Sequence, residues 1–144
     1  MLDSINILIL EDSKVDYMMT KRTLLKNAPN ALLTQATNRE DFEQRISWME
    51  YDLILADYHL PAYNGLEALL YARQHYAEIP FIFLSGTLSD ESKVAQAILQ
   101  GANGYETKEN IHQLWGMIET VLADAKIKVE ERRRRETAEQ ERKF

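Results

Sequence analysis

Five side chains able to do ionic or group-transfer chemistry stand within three residues after short apolar runs. Glu11 and Asp12 follow Ile5–Leu10, and Asp57 follows Leu53–Ala56. Ser85, with Gly86 and Thr87, follows Phe81–Leu84, and Lys108 follows the weaker run Asn103–Tyr105. Three carboxylates brought together repel one another unless a cation sits between them. Oxygen-only ligation of that kind suits a hard divalent ion, Mg²⁺ first, with waters and a backbone carbonyl completing the shell. A lysine opposite the acids is out of place in a purely structural calcium site. It makes sense where an anion is held as well: metal and ammonium together neutralise a phosphoryl group, and a hydroxyl donates to one of its oxygens. Asp57 is placed as a carboxylate nucleophile for that group. Taken singly, each residue has a plainer reading. Glu11 and Asp12 suit a helix start, Asp57 suits a turn, and Lys108 suits a surface. Their order on successive run ends argues for one site.

The segments between the runs have helical spacing. Lys14–Lys26 carries Val15, Met18, Met19, Arg22 and Leu25 near an i, i+3, i+4, i+7 stripe, expected to face the core. Asn38–Met49 opens with Asn38 as N-cap and puts Phe42, Ile46 and Met49 on one face. Asn64–Tyr76 and Ser89–Gln100 follow, the latter capped by Ser89 and carrying Val94, Ala97 and Ile98; a last helix starts near Asn110. The runs at Ile5, Leu53 and Phe81 are near-continuous rather than alternating, as strands buried on both faces are. Strand and helix alternate five times. That order predicts an α/β fold, a doubly wound five-stranded parallel sheet with right-handed crossovers. In such a sheet ligands bind beyond the carboxyl ends of the strands, where all five side chains would meet.

Composition narrows the classes further. The 144 residues contain no cysteine, which excludes disulfides, thiolate-metal sites and cysteine nucleophiles. No apolar run approaches the roughly 18–20 residues of a membrane span, and no signal-peptide pattern opens the chain, so a soluble cytoplasmic protein without membrane contact is expected. The net charge of −6 is uneven: residues 124–144 carry eight basic and six acidic side chains, so the body holds the acidic excess. An acidic body suits a cation and argues against direct nucleic-acid binding.

The motifs ILILEDSKVD, DLILADYHLPAYNGLEAL, FIFLSGT and QGANGYETKE closely resemble the receiver domain of two-component response regulators, over about residues 4–122. Asp57, Leu60-Pro61 and Asn64-Gly65 match its phosphoacceptor segment position by position. The resemblance implies a flavodoxin-like (βα)₅ fold and a phosphoryl group taken by Asp57 from a histidine kinase or histidine phosphotransfer protein. It implies Mg²⁺, with Mn²⁺ as alternative, on Glu11, Asp12, Asp57 and the main-chain carbonyl of His59. Ser85 and Lys108 would contact the phosphoryl oxygens. Ser85 and Tyr105 would form the switch that alters the face of the fourth helix, fifth strand and fifth helix. The side chains of His59 and Thr87 would tune dephosphorylation. Such a module is not an enzyme beyond transferring and losing its own phosphoryl group. Two residues depart from the family pattern: Glu109 stands where proline usually follows the lysine, and Glu11 where aspartate is commoner. A cis bond before a non-proline costs about 2.5–4 kcal/mol, so Lys108-Glu109 is expected to be trans.

The expected organisation is a receiver at residues 3–122 and a charged helical extension at 123–144, the extension leading to an absent output or sensory domain. Its apolar seam, Leu114, Ile118, Val121/Leu122, Ala125 and Val129, gives way to a solvated helix with a Glu131–Arg135 pair. Homodimers through that helix, or through the face of the fourth and fifth helices, are the expected self-contacts. The alternatives are a stand-alone receiver, a receiver-like docking module that takes no phosphate, and a metal-dependent phosphatase on a similar scaffold. Against the last, His59 stands where a general acid would be needed, and short connections leave no room for a cap.

Overall fold

Alternation of side chains along three central strands builds this molecule, because each strand feeds two cores at once. The computed structural model describes residues 4–86 and 91–142, with Glu91 described by its backbone alone. Five strands form one parallel sheet: β1 (Asn6–Leu10), β2 (Leu32–Ala36), β3 (Leu53–Ala56), β4 (Phe81–Ser85) and β5 (Gly104–Thr107), in the order β2-β1-β3-β4-β5. The helices are α1 (Lys14–Asn27), α2 (Arg39–Arg45), α3 (Gly65–His75), α4 (Glu91–Leu99) and α5 (Leu114–Arg142). A 3₁₀ turn, Lys108–Gln113, joins β5 to α5.

Leu8, Leu10, Ile54, Ala56, Phe81 and Phe83 point to one face, where Phe42 of α2, Leu69 of α3 and Ala97 of α4 cover them. Ile7, Ile9, Leu53, Leu55, Ile82 and Leu84 point to the other, under Leu24 of α1 and Leu114, Ile118 and Val121 of α5. This two-sided burial explains why the runs read as continuous rather than alternating. The expected doubly wound sheet is the observed one.

The stripe expected on α1 is a misreading of phase. Val15 is 76% exposed, and Met18 and Met19 are exposed as well, while Thr20 and Leu24 are the buried residues. The helix is turned so that Asp16, Thr20 and Leu24 face inward, which gives its first turn to the site rather than to the core. Elsewhere Asn38 caps α2 as expected, its Oδ1 accepting from the Asp41 N–H at 2.9 Å. That helix ends at Arg45 rather than Met49. The chain tightens there: the Trp48 N–H donates to the Arg45 carbonyl and the Ser47 hydroxyl to the Gln44 carbonyl. On α4 Ala97 is buried but Ile98 is exposed, and the expected cap Ser89 lies outside the described residues.

The last helix begins at Leu114, later than expected, because Thr107 caps the 3₁₀ turn by accepting from the Asn110 N–H. It then runs unbroken to Arg142, about 44 Å at 1.5 Å per residue. Leu114, Ile118 and Val121 pack on the sheet; Leu122, Ala125 and Val129 line a cleft of about 1080 Å³ at the opposite end of the sheet from the acids. The far half of α5 is not a free arm, since Arg132 pairs with Glu78 in the α3–β4 connection. Its other described pair is Arg132–Glu136 at 3.7 Å, not Glu131–Arg135.

Candidate functional site

The sheet order reverses between β1 and β3, and this is where the acids gather. The register sets Leu10 opposite Ala56, so Glu11 and Asp57 leave adjacent strand ends. One oxygen from each of Glu11, Asp12 and Asp57 lies within 4.8 Å of the other two. Glu11 and Asp57 are buried, whereas Asp12 is exposed, so the cluster opens to solvent on the Asp12 side. The backbone fixes the two buried acids: the Glu11 N–H donates to the Ala36 carbonyl and the Asp57 N–H to the Leu10 carbonyl.

Two local motifs hold the loops that carry them. Ser13 caps α1 through its Oγ, which accepts from the Asp16 N–H at 3.2 Å, and its own N–H donates to Glu11 Oε2 at 3.1 Å. Beyond β3, the His59 N–H donates to Asp57 Oδ1 at 3.1 Å, and the Gly65 N–H donates to the Tyr58 carbonyl, folding the loop back on the start of α3. Asn64 caps that helix, its Oδ1 accepting from the Glu67 N–H at 2.8 Å. Gly65 is there because the backbones meet: a Cβ would lie 2.5 Å from the Phe83 ring and 2.8 Å from the Asp57 carbonyl oxygen. The Asn64-Gly65 pair thus sets the position of Asp57.

Lys108 reaches this cluster from the end of β5. Its Nζ lies 2.6 Å from Glu11 Oε1, 2.7 Å from Asp16 Oδ2 and 3.0 Å from Asp57 Oδ2, with only 11% of the side chain exposed. Burial alone would push the ammonium down, but the hydrogen bonds to Asp16, Glu11 and Asp57 outweigh it and hold the group charged. Burial pushes the Glu11 carboxyl above its usual range, and the neighbouring Asp57 adds to that; Lys108 and the Ser13 N–H offset only part of it. Ser85 ends β4, one strand beyond β3, with its hydroxyl fully buried and no hydrogen-bond partner among the described residues. Tyr105, paired in register with Phe83, is half-buried with its ring 5.8 Å from that of Phe83 and 6.2 Å from that of Tyr58. Burial pushes its phenol up, and Ser85 is near enough to temper this. The His59 side chain is exposed, its ring 5.1 Å from that of Tyr58. Thr87 lies outside the described residues. All described peptide bonds are trans, Lys108-Glu109 among them.

The structure therefore joins Glu11, Asp12, Asp57 and Lys108 directly, and sets Ser85 and Tyr105 at the same end of the sheet. It adds Asp16, which the sequence did not single out. An acid in the first turn of a helix reads as a complement to the helix dipole, and its partner is 92 residues away. The usable signal was spacing: Asp16 lies one helical turn past Asp12, on the side of α1 that faces the strand ends.

The site is thus a group of buried acids and a lysine at the switch point of a parallel α/β sheet. The model of the response regulator receiver domain matches residues 7–133, and the chain belongs to that family. Membership makes it a module of two-component signalling. Among curated relatives, the transcriptional regulatory protein KdpE of Staphylococcus aureus is 33% identical over 121 residues, 83% of this chain and 51% of that protein. The chain spans about half the length of the first curated relatives it matches. The signal receiver domain of an HD domain-containing protein from Pseudomonas fluorescens Pf-5 has the same fold at a TM-score of 0.78, with 23% identity over 89% of this chain and 93% of that one. The Mn²⁺-bound form of response regulator Rcp1 superposes at a TM-score of 0.63, with 25% identity over 83% and 90% of the two chains. Among the described residues, no helix is long and apolar enough to cross a membrane.

Proposed function

We propose that the chain is a phosphoacceptor switch in which Asp57 takes a phosphoryl group from a phosphohistidine of a histidine kinase or phosphotransfer protein. The observation that carries this reading is the cluster itself: three carboxylate oxygens within 4.8 Å of one another, with a charged lysine bonded to two of the three acids. An Asp57 oxygen attacks phosphorus, the O–P bond forms as the N–P bond breaks, and the imidazole leaves with the electron pair. Glu11, Asp12 and Asp57, with the main-chain carbonyl of His59, would hold Mg²⁺. A divalent ion, as carried by Rcp1 with Mn²⁺, supplies charge neutralisation for the phosphoryl oxygens. The chain's own groups do the rest. Lys108 pairs with one phosphoryl oxygen, and the unpartnered Ser85 hydroxyl donates to another. Movement of Ser85 toward that oxygen leaves room for Tyr105, which stands beside it, to turn inward and reshape the α4-β5-α5 face. Exposed His59, with Thr87, governs access of the attacking water.

Residues 3–122 form the receiver, and the extension from 123 links it to an output or sensory domain in the cytoplasm. Homodimers form through the α4-β5-α5 face or α5.

Incubation with Mg²⁺ and acetyl phosphate tests the reading. The expected result is a mass gain of one phosphoryl group, abolished in Asp57→Asn; equal gain in that variant would refute it.

A further inference from the structure

The Lys108 ammonium has three N–H groups and meets three carboxylates. Two of these, Glu11 and Asp57, belong to the acid group able to take a cation; the third, Asp16, does not. A cation held by Glu11, Asp12 and Asp57 would compete with the ammonium for the Glu11 and Asp57 oxygens and would leave Asp16 as the partner the ammonium keeps. Lys108 needs such a partner. It opens a 3₁₀ turn that is irregular at Asn110 and packs on the core through the partly buried Ile111, three residues on, so the turn alone gives little aim to a long, rotatable side chain. Asp16 is fixed by comparison. It sits in the first turn of a fourteen-residue helix with its N–H on the capping Ser13 Oγ.

We propose that Asp16 is a positioning residue for phosphoryl transfer, holding the Lys108 ammonium beside Asp57 once a cation has taken the Glu11 and Asp57 oxygens. The proposal rests on the phosphoacceptor reading of the site and deepens it. Without the Asp16 carboxylate, Lys108 either falls back on Glu11, against the cation, or swings free of the incoming phosphoryl group. The side chain of Asp16 is 35% exposed and lies outside the α1 core of Thr20 and Leu24, so its removal spares the fold.

The test compares the wild-type chain with Asp16→Ala, Asp16→Asn and Asp16→Glu in saturating Mg²⁺. The Lys108 ammonium is observed by nitrogen-15 NMR, with Lys108→Arg to assign it, and beryllofluoride affinity is measured in parallel. The expected result is a slowly exchanging Lys108 signal in the wild type that is lost in Asp16→Ala, weakened in Asp16→Asn and restored in Asp16→Glu. Beryllofluoride affinity falls about tenfold in Asp16→Ala, the effect of one charge-assisted hydrogen bond. An unchanged ammonium signal in Asp16→Ala, or a lost signal with unchanged beryllofluoride affinity, overturns the proposal. A melting temperature far below wild type in Asp16→Ala transfers the decision to the isosteric Asp16→Asn. Failure of the wild type itself to accept phosphoryl from acetyl phosphate would refute the phosphoacceptor reading instead, and the ammonium signal would still decide whether Asp16 anchors Lys108.

Discussion

The same chemistry, a cation among carboxylates, occurs at both ends of this molecule with opposite consequences. At the carboxyl end of the sheet, Lys108 and Glu11 are 11% and 5% exposed and 2.6 Å apart. At the other end, Arg132 bridges Glu78 and Glu136 from a side chain 44% exposed, against partners 54% and 67% exposed. Water screens the second group and leaves each pair worth about 0–1 kcal/mol. It is largely excluded from the first, where an unbalanced charge is costly and is therefore available for binding an ion or an anion. Burial, not the number of charges, separates the site from the scaffold.

That difference can be broken most severely by removing the buried cation. Lys108→Met leaves Glu11, Asp16 and Asp57 without their ammonium, and is expected to cost about 3 kcal/mol in metal-free urea unfolding at neutral pH. Added Mg²⁺ should recover part of that loss, since a divalent ion can replace the lost charge at the cluster. The backbone approach that sets Asp57 comes next. In Gly65→Ala the new methyl group meets the Phe83 ring and the Asp57 carbonyl, with an expected loss of about 2 kcal/mol by the same measurement.

Acidity sharpens the comparison by a smaller amount. The folded chain raises the Glu11 carboxyl above its unfolded value of 4.5, so the folded state binds that proton more tightly. The stability this supplies is present at low pH and is lost as pH rises from 4.5 through the folded value. Urea midpoints of the metal-free protein should show this decline, and Glu11→Gln should remove it. Divalent-cation affinity should rise with pH over the same window, because the proton and the ion compete for Glu11. The smallest effect belongs to the solvated pairs: Arg132→Ala should change stability by no more than about 0.5 kcal/mol. High salt should erase even that.

What the sequence revealed follows the same division. The central strands were legible because Ile7 to Leu10, Leu53 to Ala56 and Phe81 to Leu84 are apolar on both faces, and the side chains just past their ends were bound to converge. Glu11, Asp12, Asp57 and Lys108 needed only strand order to be placed together. The phase of α1 was not legible. Its apolar residues Val15, Met18 and Met19 suggested one buried face, while the sheet buries the face carrying Thr20 and Leu24. Asp16 lies on the same side of α1, bonded to Lys108 92 residues away, and local periodicity holds no record of a partner so distant in the chain. The start of α5 was misplaced for a similar reason: Thr107 bonds to the Asn110 N–H and imposes a 3₁₀ turn before regular helix can begin.

Asp57, and not another of the clustered acids, is the proposed acceptor of the phosphoryl group. Borohydride reduction of an acyl phosphate converts its aspartate to homoserine, so peptide mapping after treatment with Mg²⁺ and acetyl phosphate reports the acceptor directly. The expected result is homoserine at position 57 alone, lost when Mg²⁺ is chelated. Homoserine at position 12 or 16, or none at all in protein shown by titration to bind Mg²⁺, would contradict it.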